Sequence, residues 1–82
     1  MLFRSALDFA RAVRARPHCV AIAPGSRHWE IYTSVLTEGA ARGSLAANAY
    51  LAALAIESGC DWITTDREFA RFPGLRWRHP LD

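Results

Sequence analysis

Asp66 is the side chain best placed to do chemistry. It follows Trp62-Ile63-Thr64-Thr65 and precedes a short stretch with helical character, so it falls at the carboxyl end of a strand, where α/β proteins present ligand-binding groups. A carboxylate there can hold a hard cation such as Mg²⁺. It can also cap the turn begun by Arg67 to Phe69, and taken alone the capping role outweighs the metal role. Asn48 is the second candidate. It stands at the expected start of the apolar helix containing Leu51 to Glu57, where asparagine is a favoured cap. As a metal ligand it offers one uncharged carbonyl oxygen. A unit charge pair ~4 Å apart is worth roughly 4 kcal/mol at an effective dielectric of 20, so an amide in place of a carboxylate forfeits much of the affinity for a divalent ion.

The other titratable residues point less clearly. Glu57 ends the apolar helix and Glu30 lies beside Trp29. Either acid can join a metal cluster, but single acids on helices are ordinarily solvated. His18, His28 and His79 have no ligand spacing and no paired acid, so nothing beyond residue type supports a general base. Arg67, Arg71, Arg76 and Arg78 gather in sequence around Asp66. They can guide a nucleic-acid backbone or keep a sheet edge soluble and unpaired. There is no Gly-x-Gly-x-x-Gly, P-loop, Gly-x-Ser-x-Gly or His-Glu-x-x-His pattern.

The elements that must position these residues follow from periodicity. Ser5 to Arg16 predicts a helix capped by Ser5, with Asp8 in its first turn and Leu7, Ala10, Val13 and Phe9 as its apolar stripe; Arg4, Arg11 and Arg14 share the opposite face. Pro17 stops it. Cys19-Val-Ala-Ile-Ala23 is a continuous apolar run bounded by prolines, which predicts a buried parallel strand. Ser26 is the expected cap of a second helix, His28 to Thr37, with Trp29, Tyr32, Val35 and Leu36 inward. A third helix, about Ala46 to Ser58, has almost no polar face and should be central, with Gly59 as its left-handed stop. Strands at Asp61 to Thr64 and Leu75 to Arg78 flank a helical turn at Arg67 to Arg71. Trp29, Trp62 and Trp77 read as core or interface residues. The first helix has an apolar stripe but hardly any sheet to seat it on, as though a piece were missing from the front.

Size and composition bound the answer further. The chain has 82 residues, 51% hydrophobic and 22% charged, with a net charge of +2. A single domain of this size buries only about 60–65% of its unfolded surface, so its stability is marginal without a partner. All ten basic residues are Arg and alanine is the commonest residue, a pattern that GC-rich codons explain before phosphate binding does. No apolar run reaches the ~20 residues of a membrane span, and the first residues lack a signal-peptide layout; the cytoplasm is the default. Cys19 and Cys60 have no metal spacing and fall in or beside expected buried strands, where free cysteine acts as a small hydrophobe.

Asn48-Ala-Tyr-Leu-Ala-Ala-Leu-Ala-Ile-Glu57, Thr64-Thr-Asp66 and Arg71-Phe-Pro-Gly-Leu-Arg-Trp77, with Ala23-Pro-Gly25 and His28-Trp29 upstream, resemble the C-terminal part of a PIN domain, most closely the VapC toxins of bacterial VapBC toxin–antitoxin pairs. The resemblance covers nearly the whole chain. It implies a PIN-like three-layer α/β/α fold with a short parallel sheet that lacks the N-terminal strand and first helices, residues 1–82 forming a partial PIN domain. It implies a Mg²⁺-dependent endoribonuclease whose acidic cluster holds the metal, a VapB-like antitoxin as partner, RNA as substrate and a possible homodimer. Asp66 matches the last acid of that cluster. Asn48 occupies the position of an expected aspartate, and the remaining acids belong to a region without counterpart here. Arg67 and Arg71 are the RNA-binding candidates. Weak or absent cleavage is the expectation, and a non-catalytic remnant that binds an antitoxin or a VapC-like subunit is the alternative. Asn48 and Asp66 are expected to face a common cleft.

Overall fold

A computed structural model describes residues 4–39 and 42–82. Three helices, α1 (Ala6–Arg14), α2 (His28–Glu38) and α3 (Ser44–Ser58), precede strand β1 (Trp62–Ile63), a 3-10 helix (Arg67–Arg71) and strand β2 (Trp77–Arg78). The strands pair in parallel, with Trp62 opposite Trp77 and Ile63 opposite Arg78. Trp62 N–H donates to Arg76 O at 2.8 Å and Thr64 N–H to Arg78 O at 3.1 Å. The fold is mixed α/β as expected, and both C-terminal strands form, although each is shorter than its apolar run.

The third expected strand does not form. Among the described residues Cys19 to Ala23 enter no sheet, and all five are exposed, Val20 by 78%. A continuous apolar run reports a demand for burial, while a strand also needs a neighbour for its backbone groups. Neither β1 nor β2 supplies one. Cys19 and Cys60 are accordingly free and exposed, not buried.

Helix α1 begins as its sequence dictates, with Ser5 Oγ accepting the Asp8 N–H at 3.1 Å. α1 buries no residue, and Leu7 and Val13 of its apolar stripe are 57% and 41% exposed. In α2 the inward face is set by His28, Tyr32 and Val35, spaced i, i+4, i+7. Val35 is buried, Tyr32 and Leu36 pack half-buried against the core, and His28 is buried while Trp29, expected inside, is 72% exposed.

Helix α3 holds the molecule together. Ala49, Ala52, Ala53 and Ala55 are fully buried, and their small side chains let neighbouring elements come close. Ala49 and Ala52 share one cluster with Val35 of α2 and with Phe69 and Phe72 from the crossover between the strands. The opposite side stays open at Tyr50 and Leu51, so α3 is central on one side only. It ends at Gly59, φ +71°, where Cys60 N–H donates to Ala55 O at 3.0 Å and Gly59 N–H to Ile56 O at 3.2 Å. This is the Schellman arrangement that the glycine predicts.

Candidate functional site

Asp66 lies just past β1 and is exposed. Its N–H donates to Thr64 Oγ1 at 3.2 Å, and its own Oδ1 accepts the Glu68 N–H at 3.0 Å, capping the 3-10 helix. The capping role is therefore filled in the structure. Oδ2 takes part in no described hydrogen bond, so one oxygen of the carboxylate is left to meet a ligand.

Asn48 is placed differently from expectation. Helix α3 starts at Ser44, from Gly43 in a positive-φ conformation and with no side-chain cap. Asn48 thus sits one turn inside the helix, half-buried, and caps nothing. Its amide has no hydrogen-bond partner among the described residues. The elements carrying Asn48 and Asp66 meet through Ala49, Ala52 and Phe69 in the core, but no described hydrogen bond joins the two side chains.

Arg67 and Arg71 are both exposed, on the 3-10 helix that Asp66 caps. Of the nearby arginines, Arg76 is committed elsewhere: Nε lies 2.9 Å from Asp61 Oδ1 and Nη2 donates to the Gly59 carbonyl. That pins β2 to the end of α3, and an exposed pair of this kind adds at most ~1 kcal/mol. No group of three or more His, Cys, Asp or Glu able to hold a metal exists among the described residues.

Two residues that matter structurally carry no role in the sequence-based expectations. Glu57, expected to be solvated, reaches back to the chain entering α2. Its Oε1 accepts the Gly25 N–H at 2.7 Å and its Oε2 the Arg27 N–H at 2.9 Å. This carboxylate does the capping expected of Ser26, since the residue at the cap position, Arg27, makes no side-chain bond. The Gly25 bond is the chief cause of a Glu57 pKa held below the ordinary value, against an opposing desolvation. A Cβ on Gly25 would come within 2.7 Å of Oε2, so glycine is what permits the approach. One signal was available: an acid at a helix C-terminus faces the negative end of the dipole and so implies a tertiary partner.

His28 is the other. Its Nε2 lies 3.1 Å from Tyr50 O; a carbonyl only accepts, so Nε2 donates. The ring stacks on Tyr32 at 5.9 Å and meets Tyr50 edge-on at 4.4 Å. It fastens α2 to α3. A groove of about 250 Å³ between α2, Ile56 and Pro73-Gly74 is bordered by Arg27, Glu30 and Glu38. It includes neither Asp66 nor Asn48, and is smaller than most small-molecule sites.

Comparison with known proteins supplies what the geometry does not. The chain is 45% identical over 71 residues to Ribonuclease VapC43 of Mycobacterium tuberculosis, a match covering 87% of this chain and 48% of that protein. The VapC ribonuclease Mb2897 of Mycobacterium bovis matches equally. Ribonuclease VapC25 of M. tuberculosis is 39% identical over 75 residues, 92% of this chain and 53% of its own length. No family model matches. The chain spans about half the length of the curated relatives it matches.

Proposed function

Because this chain belongs, over the stretch it spans, to the VapC ribonuclease family, we propose that it is part of a PIN-domain endoribonuclease, the toxin of a type II toxin–antitoxin pair. The observation that carries this is the 45% identity over 71 residues to VapC43. In this reading the mixed α/β fold is one portion of a three-layer α/β/α PIN domain working in the cytoplasm on RNA and restrained by a VapB-like antitoxin, with homodimerisation as a further possibility of the same family. No helix of the described residues is long and apolar enough to cross a membrane.

Asp66 is the residue assigned to the metal site, with Mg²⁺ as the cation, Asn48 at a position where relatives are expected to carry an acid, and Arg67 and Arg71 as weaker RNA contacts. The donors on this chain do not by themselves fit that ion. Mg²⁺ demands near-octahedral oxygen coordination and normally draws on carboxylates; here there is one carboxylate, already accepting the Glu68 N–H, and one uncharged amide. No catalytic step is therefore derived through the metal. We infer weak or no cleavage by these 82 residues alone. The alternative, a non-catalytic piece that binds an antitoxin or a VapC-like subunit, is favoured by the exposed apolar side chains Leu7, Val20 and Ile22.

The test is RNA cleavage with Mg²⁺ by the purified chain, beside Asp66→Ala and Asp66→Asn. The expected result is no cleavage above background. Asp66→Ala should lose about 1 kcal/mol with its cap, while Asn keeps the cap and stays within a few tenths. Vigorous Mg²⁺-dependent cleavage that both variants abolish would show a site more complete than inferred.

A further inference from the structure

We propose that Trp29, Tyr32 and Tyr50 form a stacking platform for unpaired bases of single-stranded RNA, with Arg42 at its end to meet a phosphate. The choice of RNA rests on the ribonuclease reading, but the test is binding and not cleavage.

Helix α2 turns different residues to its two flanks. Glu30, Ser34 and Glu38 border the groove on one flank, while Trp29 and Thr33 lie one turn apart on the other. Trp29 is 72% exposed and Tyr50 42%. Tyr32 stands between them, its ring centroid 6.0 Å from Trp29 and 5.6 Å from Tyr50. Both pairs meet edge to face, at 67° and 78°, so neither closes its ring faces in a parallel stack. The rings are also anchored: Tyr32 OH donates to Ala46 O at 3.3 Å, and His28 Nε2 to Tyr50 O at 3.1 Å. Rings held in place before a ligand arrives lose less freedom on binding it.

The surroundings select the occupant. A protein contact gathers its energy in an apolar centre that excludes water, whereas the residue one turn beyond Trp29 is Thr33. Its hydroxyl donates to the Glu30 carbonyl at 3.0 Å and keeps its acceptor lone pairs. Exposed rings beside polar groups fit a nucleobase, whose face is covered by stacking while its edges stay wet. Every base has a π-face, so such a platform needs no particular sequence. Charge agrees, because the two carboxylates that border the groove lie on the other flank of α2. Arg42 is exposed and forms no ion pair among the described residues. Its carbonyl accepts the Leu45 N–H at 3.1 Å, which places it one turn before the Ala46 carbonyl that Tyr32 holds. A guanidinium there is free to pair with a phosphate. The turn of α3 between Ala46 and Tyr50 also carries Asn48, so the platform and the candidate metal position share one stretch of helix.

The probe is a fluorescein-labelled single-stranded RNA about 12 nucleotides long, mixed with the full 82-residue chain in EDTA at low salt and read by anisotropy. Trp29→Ala should weaken binding by at least about fivefold, the effect of losing one stacked base, and Trp29→Phe should weaken it less. Arg42→Gln should reduce the slope of log affinity against log salt by about 0.7, the share of one phosphate on a single strand. Duplex RNA of the same sequence hides its bases, so Trp29→Ala should leave its binding unchanged. If Trp29→Ala fails to fold, RNA must quench a tryptophan signal that is present in the wild type and missing from Trp29→Phe. No binding of the single strand, or binding indifferent to Trp29→Ala, overturns the proposal. So does self-association that buries Trp29 without RNA, because the occupant is then a second copy. The two readings fail separately. RNA bound through Trp29 by a chain that never cleaves it leaves the platform standing; Mg²⁺-dependent cleavage indifferent to Trp29→Ala overturns the platform and leaves the ribonuclease reading standing.

Discussion

Glu57 shows how one side chain can be legible as an oddity yet not as a function. Its place at the end of an apolar helix is plain from sequence, and an acid there is disfavoured by the helix dipole. What sequence spacing hides is the partner, the Gly25 and Arg27 N–H groups some thirty residues upstream. Asp66 is the converse: its position at a strand end is readable, and so is its capping bond, because both depend on neighbours in the chain. Asn48 misleads because helix starts are poorly marked in an alanine-rich stretch: the chain enters α3 at Gly43, so a residue one turn inside the helix is read as its cap. The Glu57 bonds carry a pH dependence. With its pKa lowered chiefly by the Gly25 N–H, the ionised form adds stability that is full above the ordinary glutamate value, about 4.3, and is lost as pH falls through the lower folded value. Glu57→Gln should therefore lower the thermal midpoint at pH 7, and the gap from wild type should narrow below about pH 4. A gap that stays constant down to pH 3 would mean that the charge is not what holds the Gly25 turn.

At the scale of elements, helices α1 to α3 and the β1–β2 pair could be anticipated because each is declared by local periodicity and stops. Cys19–Ala23 could not, since its apolar run states only that burial is needed and not what will provide it. The same distinction separates the two sides of α3. Leu51 looks more like a core residue than Ala52 does, yet Ala52 is fully buried and Leu51 is 37% exposed. The reason is packing: Ala52 lies in the cluster with Val35, Phe69 and Phe72, and those large neighbours need a small residue between them. Ala52→Leu should accordingly cost about 1–3 kcal/mol by overpacking, whereas Leu51→Ala should change far less than the 2–5 kcal/mol of a buried leucine. Urea unfolding of both variants checks the ordering, and a reversed ordering would mean that α3 presents its other side to α2 and the 3-10 helix.

The whole molecule is more extended than its length warrants. Its radius of gyration is 14.4 Å, where a compact domain of 82 residues has about 12 Å. The difference comes from α1 and the run after it, which lie outside the cluster formed by α2, α3 and the crossover. Leu7 and Val20 are exposed, 57% and 78%, so truncating them removes little buried surface. Leu7→Ser combined with Val20→Ser should shift the stability of the isolated chain by no more than about 0.5 kcal/mol. The same change should reduce self-association, because it breaks up an apolar surface that water cannot wet favourably. Urea unfolding gives the first quantity and light scattering across concentration the second. A destabilisation of ~2 kcal/mol or more, the scale of lost core side chains, would mean that the chain folds α1 and Val20 onto itself in solution and closes the open face without a partner.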